Sequence, residues 1–157
     1  MATTTRKASK SPADTEEPFH PAPTDCVGGV CDPERTQGLQ APASPQDAPY
    51  DLITLRGPGL FLAAQISKQG GKNDLTFVNL DVDGRNVTSL SYAAAANWGL
   101  TQQNPYGLVL LQTSGTIKTM AIGFSAPLLY RRDLRLSVIV KETNVTQILA
   151  NVVHGAA

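Results

Sequence analysis

Two cysteines, Cys26 and Cys31, carry the most reactive side chains of this 157-residue sequence. Four residues separate them, and Gly28-Gly29 would let the chain fold back, so the spacing fits either a local disulfide loop or two free thiols. A structural metal site needs about four ligands, and no further Cys or His pair stands nearby to complete one. The spacing also differs from the C-x-x-C of redox sites. We therefore predict neither a metal nor a cofactor.

The acidic stretch before Gly84 is the next candidate for chemistry. Asn79, Asp81 and Asp83 alternate there as in the opening of a calcium-binding EF-hand loop, but Leu90 stands where that loop has its bidentate glutamate. The flanking residues have strand character rather than helix character. The stretch therefore predicts the polar face of a strand that ends in an Asp-Gly turn, without a metal site.

Catalytic groups are scarce in the rest of the chain. Beyond residue 48 the one histidine is His154, which we expect to lie exposed after the last strand. The motifs of serine hydrolases, phosphate-binding loops and zinc proteases are absent from the sequence. The carboxylates fall at strand ends or on polar faces, where the sequence indicates nothing that would shift their pKa values for acid–base work. The sequence therefore predicts a protein that is not an enzyme.

Aromatic and arginine side chains offer a different chemistry, that of ligand contact. Trp98 and Tyr106 could stack on a sugar ring, and Tyr130 with Arg131 and Arg132 could hold an anion or a sugar. Aromatic side chains in a sandwich more often cover the end of the core. A lid over the core is therefore the favoured interpretation of Trp98, and a ligand platform is the alternative.

Short strands have to position these residues. Apolar and polar residues alternate over 134–141, Glu142-Thr143-Asn144 forms a polar break, and a β-branched run follows over 145–153, which predicts an antiparallel hairpin. Six further strands are predicted over residues 51–56, 60–68, 74–83, 85–90, 106–113 and 116–124. One or two helical turns are predicted over residues 91–100, with Gly99 as a left-handed cap. Eight short strands with almost no helix predict an all-β, two-sheet antiparallel sandwich.

The sequence predicts two parts: a disordered, proline-rich tail or tether over residues 1–48, and one β-sandwich domain over residues 49–157. Eight of the eleven prolines lie in residues 1–49, where large apolar side chains are few. The tail has four basic and seven acidic side chains, a net charge of −3, and the domain has nine basic and six acidic side chains, a net charge of +3. Neither part has the concentrated basic face of a nucleic-acid-binding protein, so nucleic acid is not an expected partner.

Membrane and export signals are not evident. No stretch reaches the roughly 20 apolar residues of a membrane span, and no apolar segment of a secretory signal follows the N-terminal charges. We therefore expect no membrane partner, and a protein that lies in the cytoplasm or on a particle.

Three segments carry a resemblance to a known class of domain: Gly59-Leu60-Phe61-Leu62-Ala63-Ala64, residues 75–84, and Leu136-Ser137-Val138-Ile139-Val140. They resemble the single jelly-roll domains of phage and virus structural proteins, such as coat and decoration proteins. The resemblance covers residues 49–155 and implies a compact jelly-roll-like sandwich with a flexible N-terminal arm. The net acidic tail departs from the usual coat-protein arm and argues against genome binding.

The functional hypothesis is a non-enzymatic structural or assembly module that self-associates or decorates a larger protein shell, with the tail as tether. Apolar residues on both faces of two strands predict a homo-oligomer whose interface includes Leu108, Leu110, Leu149 and Val153. The resemblance favours a trimer. The alternative is a carbohydrate- or receptor-binding module that uses the aromatic loops.

Overall fold

The computed structural model describes residues 26–27 and 30–157. Ten strands and one short helix follow one another in that part of the chain: β1 Cys26–Val27, β2 Val30–Gln40, β3 Tyr50–Arg56, β4 Gly59–Gly70, β5 Thr76–Val82, β6 Arg85–Ser91, α1 Tyr92–Asn97, β7 Leu108–Ser114, β8 Ile117–Tyr130, β9 Asp133–Val140 and β10 Val145–Ala156.

The strands form two antiparallel sheets. One sheet has six strands in the order β1-β2-β10-β4-β8-β7, and the other has four in the order β3-β9-β5-β6. β2 pairs with β10, β3 with β9, β4 with β8 and β5 with β6. The chain is therefore a long hairpin that is rolled into two sheets, which is the arrangement of a jelly roll. The predicted all-β, jelly-roll-like sandwich is confirmed, and β7 is an additional edge strand.

One core fills the space between the two sheets. In β9 the alternating residues Leu134, Leu136, Val138 and Val140 are fully buried, as the period of two predicted. Strand β10 of the opposite sheet contributes Ile148, Ala150 and Val152. Burying a Leu, Ile or Val side chain contributes about 1.5–3 kcal/mol, so these facing rows are a main source of stability.

The local predictions for strands and turns from residue 50 onward hold within a few residues, except at the end of β8. That strand continues to Tyr130, although its end was predicted at residue 124. The helical turn is α1, and the side chain of Ser91 caps it by accepting a hydrogen bond from the Ala94 N–H. Gly99 follows with a φ of 64°. Asp83 and Gly84, with φ values of 52° and 79°, form the two-residue turn between β5 and β6, as the Asp-Gly pair predicted.

The predicted hairpin between the last two strands is wrong. β9 lies in the four-stranded sheet and β10 in the six-stranded sheet, so residues 141–144 cross from one sheet to the other. The polar break was interpreted as a solvent-exposed turn, but the Glu142 side chain is fully buried. It accepts hydrogen bonds from Lys68 on β4 and Thr76 on β5, which belong to different sheets. A buried acid thus anchors a crossing where sequence composition suggested a turn.

The predicted boundary at residue 48 is also wrong for the part of the tail that the structure describes. Strand β2 pairs with β10 along most of its length, from Gln40 opposite Ile148 to Glu34 opposite His154. Most of its side chains are exposed or half-buried, so the strand is held by its backbone and gives little apolar periodicity in the sequence. The remainder of the predicted tail, residues 1–25 and 28–29, lies outside the described residues.

The cysteines lie at the start of the six-stranded sheet. Cys31 is disulfide-bonded, and its partner residue across the β1–β2 pair is Cys26, the other cysteine of the sequence. Of the two states that the spacing allowed, Cys31 thus has the disulfide rather than the free thiol.

Candidate functional site

An exposed aromatic pair stands at one edge of the sandwich. The rings of Trp98 and Tyr106 lie with centroids 5.5 Å apart and planes inclined at 43°. Their side chains are 58% and 56% exposed, respectively. The favoured prediction that Trp98 covers the core is therefore wrong, since the indole lies outside the core and against a second aromatic ring. The pair has the geometry of a stacking platform.

The two aromatic residues are positioned by the segment that joins α1 to β7. Trp98 is the C-cap of α1, and its backbone N–H bonds the Ala94 carbonyl. In the following loop, the Asn104 side chain accepts a hydrogen bond from the Tyr106 N–H and donates one of 2.6 Å to the Leu108 carbonyl. The loop between α1 and β7 is thus folded by its own asparagine, which places Tyr106 beside Trp98.

A cleft of about 390 Å³ opens beside this pair. Its apolar lining includes Val87 and Leu90 of β6, Pro105 and Phe124. The Phe124 ring also packs edge-on against the core residue Phe61, with centroids 6.5 Å apart, so the floor of the cleft is continuous with the core. We call this site the aromatic cleft.

The two side-chain hydroxyls of β6 that line the aromatic cleft are engaged within the protein. Thr88 Oγ1 donates to the Tyr106 carbonyl at 3.2 Å, and Ser89 Oγ donates to Asn79 Oδ1 at 2.6 Å. No charged residue is among those that line the cleft. What it presents to a ligand is therefore mainly aromatic and apolar surface.

The other predicted contact residues, Tyr130, Arg131 and Arg132, lie elsewhere. Asp83 accepts hydrogen bonds from the backbone N–H groups of both arginines, and these bonds hold the pKa of its carboxyl below the ordinary value. Tyr130 is 3% exposed, and burial raises the pKa of its hydroxyl. The structure therefore does not bring these residues together with Trp98 and Tyr106, and the two arginines belong to a turn held by Asp83.

A second, polar cleft contains Tyr130 and His154. The prediction of an exposed His154 is wrong, because the residue lies within β10, is 9% exposed and bonds Thr36 Oγ1 through Nε2 at 2.8 Å. A catalytic triad would need an acid on the other ring nitrogen, and the described hydrogen bonds include none there. The pair ties β10 to β2.

Sequence reasoning missed a buried ionic network at the opposite end of β10. Lys68 is fully buried, and its Nζ donates to Glu142 Oε1 at 2.7 Å and to Asp74 Oδ1 at 2.8 Å. Asp74 also pairs with Lys118. Nζ of Lys68 lies 5.3 Å from the centroid of the Tyr92 ring. A lone Lys within an apolar strand was the available signal, because such a residue needs a partner when the strand is central.

Both acids of the network stay ionised. Burial by itself raises the pKa of Glu142, but hydrogen bonds from Lys68 and Thr76 outweigh it and hold the pKa below the ordinary value. For Asp74, likewise, burial raises the pKa, and the bonds from Lys118 and Lys68 bring it below the ordinary value. Every charge thus has a partner, and the arrangement fits a structural network better than a catalytic one.

The outer face of the six-stranded sheet is uncharged over most of its width. Register places three side chains of β10, Leu149, Asn151 and Val153, between the outward residues of β2 and β4. Their neighbours in these rows are Leu39, Gln37, Ser67, Gln65 and Ala63, with Ala121 on β8 and Arg35 at the β2 edge. Leu39, Leu149 and Val153 are 60%, 43% and 37% exposed. We call this surface the uncharged sheet face.

One atom at the centre of the uncharged sheet face has no partner. Asn151 Oδ1 is buried and accepts no hydrogen bond from the residues that the structure describes. Of the four predicted interface residues, Leu149 and Val153 lie on this face. Leu108 and Leu110 are 0% and 8% exposed in the core, so the prediction that they form an interface is wrong. The inward face of β7 packs on the chain's own core rather than on a partner.

The described residues include no cluster of His, Cys, Asp and Glu that could hold a metal ion. Among them, no helix has the length and apolar character that crossing a bilayer would need. No protein-family model matches the chain, and no curated protein matches it.

Proposed function

We propose that the chain is a non-enzymatic assembly module that associates with a second copy of itself through the uncharged sheet face. The exposed apolar side chains of Leu39, Leu149 and Val153 are the observation that carries the proposal. Large apolar side chains that lie together on an outer sheet face mark a surface that a protein partner can cover.

A second copy is a suitable partner because it presents the same uncharged patch. In a two-fold contact the patch meets itself, so the leucine and valine side chains of both copies are buried together. Leu149, Val153 and Leu39 surround Asn151 in the rows of the sheet and would be buried in the same contact. The closed trimer and the attachment to a larger protein shell remain predictions of the jelly-roll resemblance.

The other outer face of the sandwich supports this choice of surface by contrast. Outward residues of the four-stranded sheet pair as ions, with Arg56 bridging Asp133 and Arg135 bridging Asp51. Such a face is well solvated, and burying it would carry a desolvation cost. The two faces thus have opposite character, and the six-stranded sheet offers the surface that association can bury.

Light scattering coupled to size exclusion tests the proposal. The full chain at micromolar concentration should have a mass of at least twice the monomer mass, which is 16.6 kDa. Replacing Leu149 and Val153 together by Arg should lower this mass, because unpaired charges would have to be buried in the sheet contact. Thr54→Arg, on the charged outer face of the four-stranded sheet, is the matched control and should leave the mass unchanged. A wild-type monomer would overturn the proposal.

The exposed Trp98–Tyr106 pair supports a second candidate, a carbohydrate- or receptor-binding module. Aromatic faces bind sugar rings by stacking, and both rings here are more than half exposed. Trp98 is the single tryptophan of the sequence, so its emission reports directly on the site. A saturable change of emission in a glycan titration would support this function.

A further inference from the structure

We propose that the aromatic cleft binds the proline-rich segment of residues 18–23 from a neighbouring copy of the chain. This inference rests on the self-association proposed above, and it names a second contact between copies. The occupant is thus a segment of this sequence that lies outside the described residues.

The chemistry of the aromatic cleft favours a proline-rich peptide over a sugar. Sugar recognition combines stacking with several hydrogen bonds to hydroxyl groups, but the Thr88 and Ser89 hydroxyls already donate to Tyr106 and Asn79. The groups that remain are aromatic faces and the donors at their edges, the indole N–H of Trp98 and the phenol of Tyr106. A polyproline II peptide needs this combination, because its rings pack on aromatic grooves and its carbonyls accept isolated hydrogen bonds.

The segment Pro18-Phe19-His20-Pro21-Ala22-Pro23 has the matching pattern. Pro18 and Pro21 have the P-x-x-P spacing, which places both rings on one edge of a helix with three residues per turn. Proline also restricts the free chain to such conformations, so that little further entropy is lost on binding. Phe19 adds an aromatic side chain to the same short segment.

Chain length indicates that the segment comes from another copy. Residue 26 begins β1, at the edge of the six-stranded sheet opposite β7, and four strands lie between them. Five strand spacings of about 4.8 Å amount to about 24 Å. Pro21 of the P-x-x-P pair is five residues before Cys26, a reach of about 18 Å at most. The rings of Pro18 and Pro21 therefore cannot lie together in the cleft of their own chain, whose wall includes Leu108 of β7.

Peptide binding to the full-length protein tests the inference. The recipient is the full chain with Pro18, Pro21 and Pro23 replaced by Ala, so that its own segment cannot compete and its cleft is intact. A synthetic peptide of residues 16–25 should change the emission of Trp98 saturably, with a dissociation constant in the micromolar range. The same peptide with its three prolines replaced by Ala should bind at least tenfold more weakly.

Variants of the recipient locate the site. A fluorescein-labelled peptide of residues 16–25, followed by anisotropy, should bind the Tyr106→Ala recipient at least tenfold more weakly. Leu129→Ala is the matched control, because Leu129 is an apolar residue that is 47% exposed and lies near the C-terminal end of β8, outside the cleft. It should leave the binding unchanged. Circular dichroism melts check that each recipient is folded.

The outcomes separate this inference from the proposed function. Absence of a saturable response in a folded recipient would overturn the cleft contact, and so would an equal response to the proline-free peptide. A response to oligosaccharides alone would assign the cleft to a sugar instead. The Leu149 and Val153 double-Arg variant retains the cleft, so loss of association through the sheet face would leave peptide binding intact.

Discussion

At the scale of single residues, Lys68 and Glu142 show how a jelly roll holds charge in its interior. Both side chains are fully buried, and Glu142 accepts hydrogen bonds from Lys68 on β4 and Thr76 on β5. Gly71, with a φ of 96°, completes the site, because a Cβ there would overlap the Glu142 carboxylate. The network links both sheets at the point where the chain crosses between them. Removing one member of the network leaves the charge of its partner buried and unpaired in an apolar environment.

We predict that Glu142→Gln lowers the free energy of unfolding at neutral pH by about 3 kcal/mol, because Lys68 loses its closest counter-charge. The variant should also change the response to acid. In the wild type, the depressed pKa values of Glu142 and Asp74 contribute stability that is complete above their unfolded values near pH 4 and is lost as pH falls through the folded values. Urea denaturation from neutral pH to pH 3 should show a shallower decline for the variant.

Arg56→Gln is the control for this prediction. Arg56 forms an ion pair with Asp133 at 3.7 Å, and its side chain is 82% exposed. Exposed pairs contribute about 0–1 kcal/mol, so this variant should unfold almost like the wild type. Equal losses in the two variants would contradict the structural role of the buried network.

At the scale of elements, β2 is a strand held by its backbone rather than by its side chains. It pairs with β10 along the six-stranded sheet, although most of its side chains face solvent. Its contact with the opposite sheet is made at Gly38, where a Cβ would overlap the carbonyl of Leu52 on β3. The glycine thus allows the backbones of the two sheets to approach each other.

We predict that Gly38→Ala destabilises the protein by about 1–3 kcal/mol, because β2 or β3 must shift to accept the methyl group. Thermal unfolding followed by circular dichroism measures the effect. Gly123→Ala is the matched control, since a Cβ at Gly123 meets no atom within 4 Å. It should change stability by less than about 0.5 kcal/mol. An unchanged melting temperature for Gly38→Ala would contradict the close packing of β2 on β3.

At the scale of the whole molecule, the two outer faces of the sandwich divide its surface into a charged side and an uncharged side. The formal net charge of the chain is zero, so overall repulsion does little to keep copies apart. Exposed leucine and valine side chains on one face favour association through that face. Stability should then depend on protein concentration.

We predict that the melting temperature of the wild type rises with concentration, because mass action stabilises an associated folded state. A hundredfold increase should add on the order of 2 kcal/mol. Differential scanning fluorimetry over the micromolar range measures this dependence. The melting temperature of the double-Arg variant of Leu149 and Val153 should depend less on concentration than that of the wild type. A wild type without concentration dependence would contradict association of the folded state.

The sequence by itself determined the elements of the domain from residue 50 onward. Alternation placed Leu134, Leu136, Val138 and Val140 on one buried row, and Asp83-Gly84 marked a two-residue turn. These signals are local, because a period of two and a positive φ at a turn are properties of a few adjacent residues. The aromatic residues of the candidate cleft were also identifiable, although not their exposure.

Only the tertiary structure decided how these elements pair. The crossing at Glu142 depends on Lys68, which is 74 residues away in the sequence, and composition alone made the segment resemble a hairpin turn. Leu108 and Leu149 are similar in sequence context, yet one is buried and the other is 43% exposed, since burial depends on which sheet covers which face. Strand β2 left no apolar pattern because backbone hydrogen bonds to β10 hold it, and such bonds do not specify side chains.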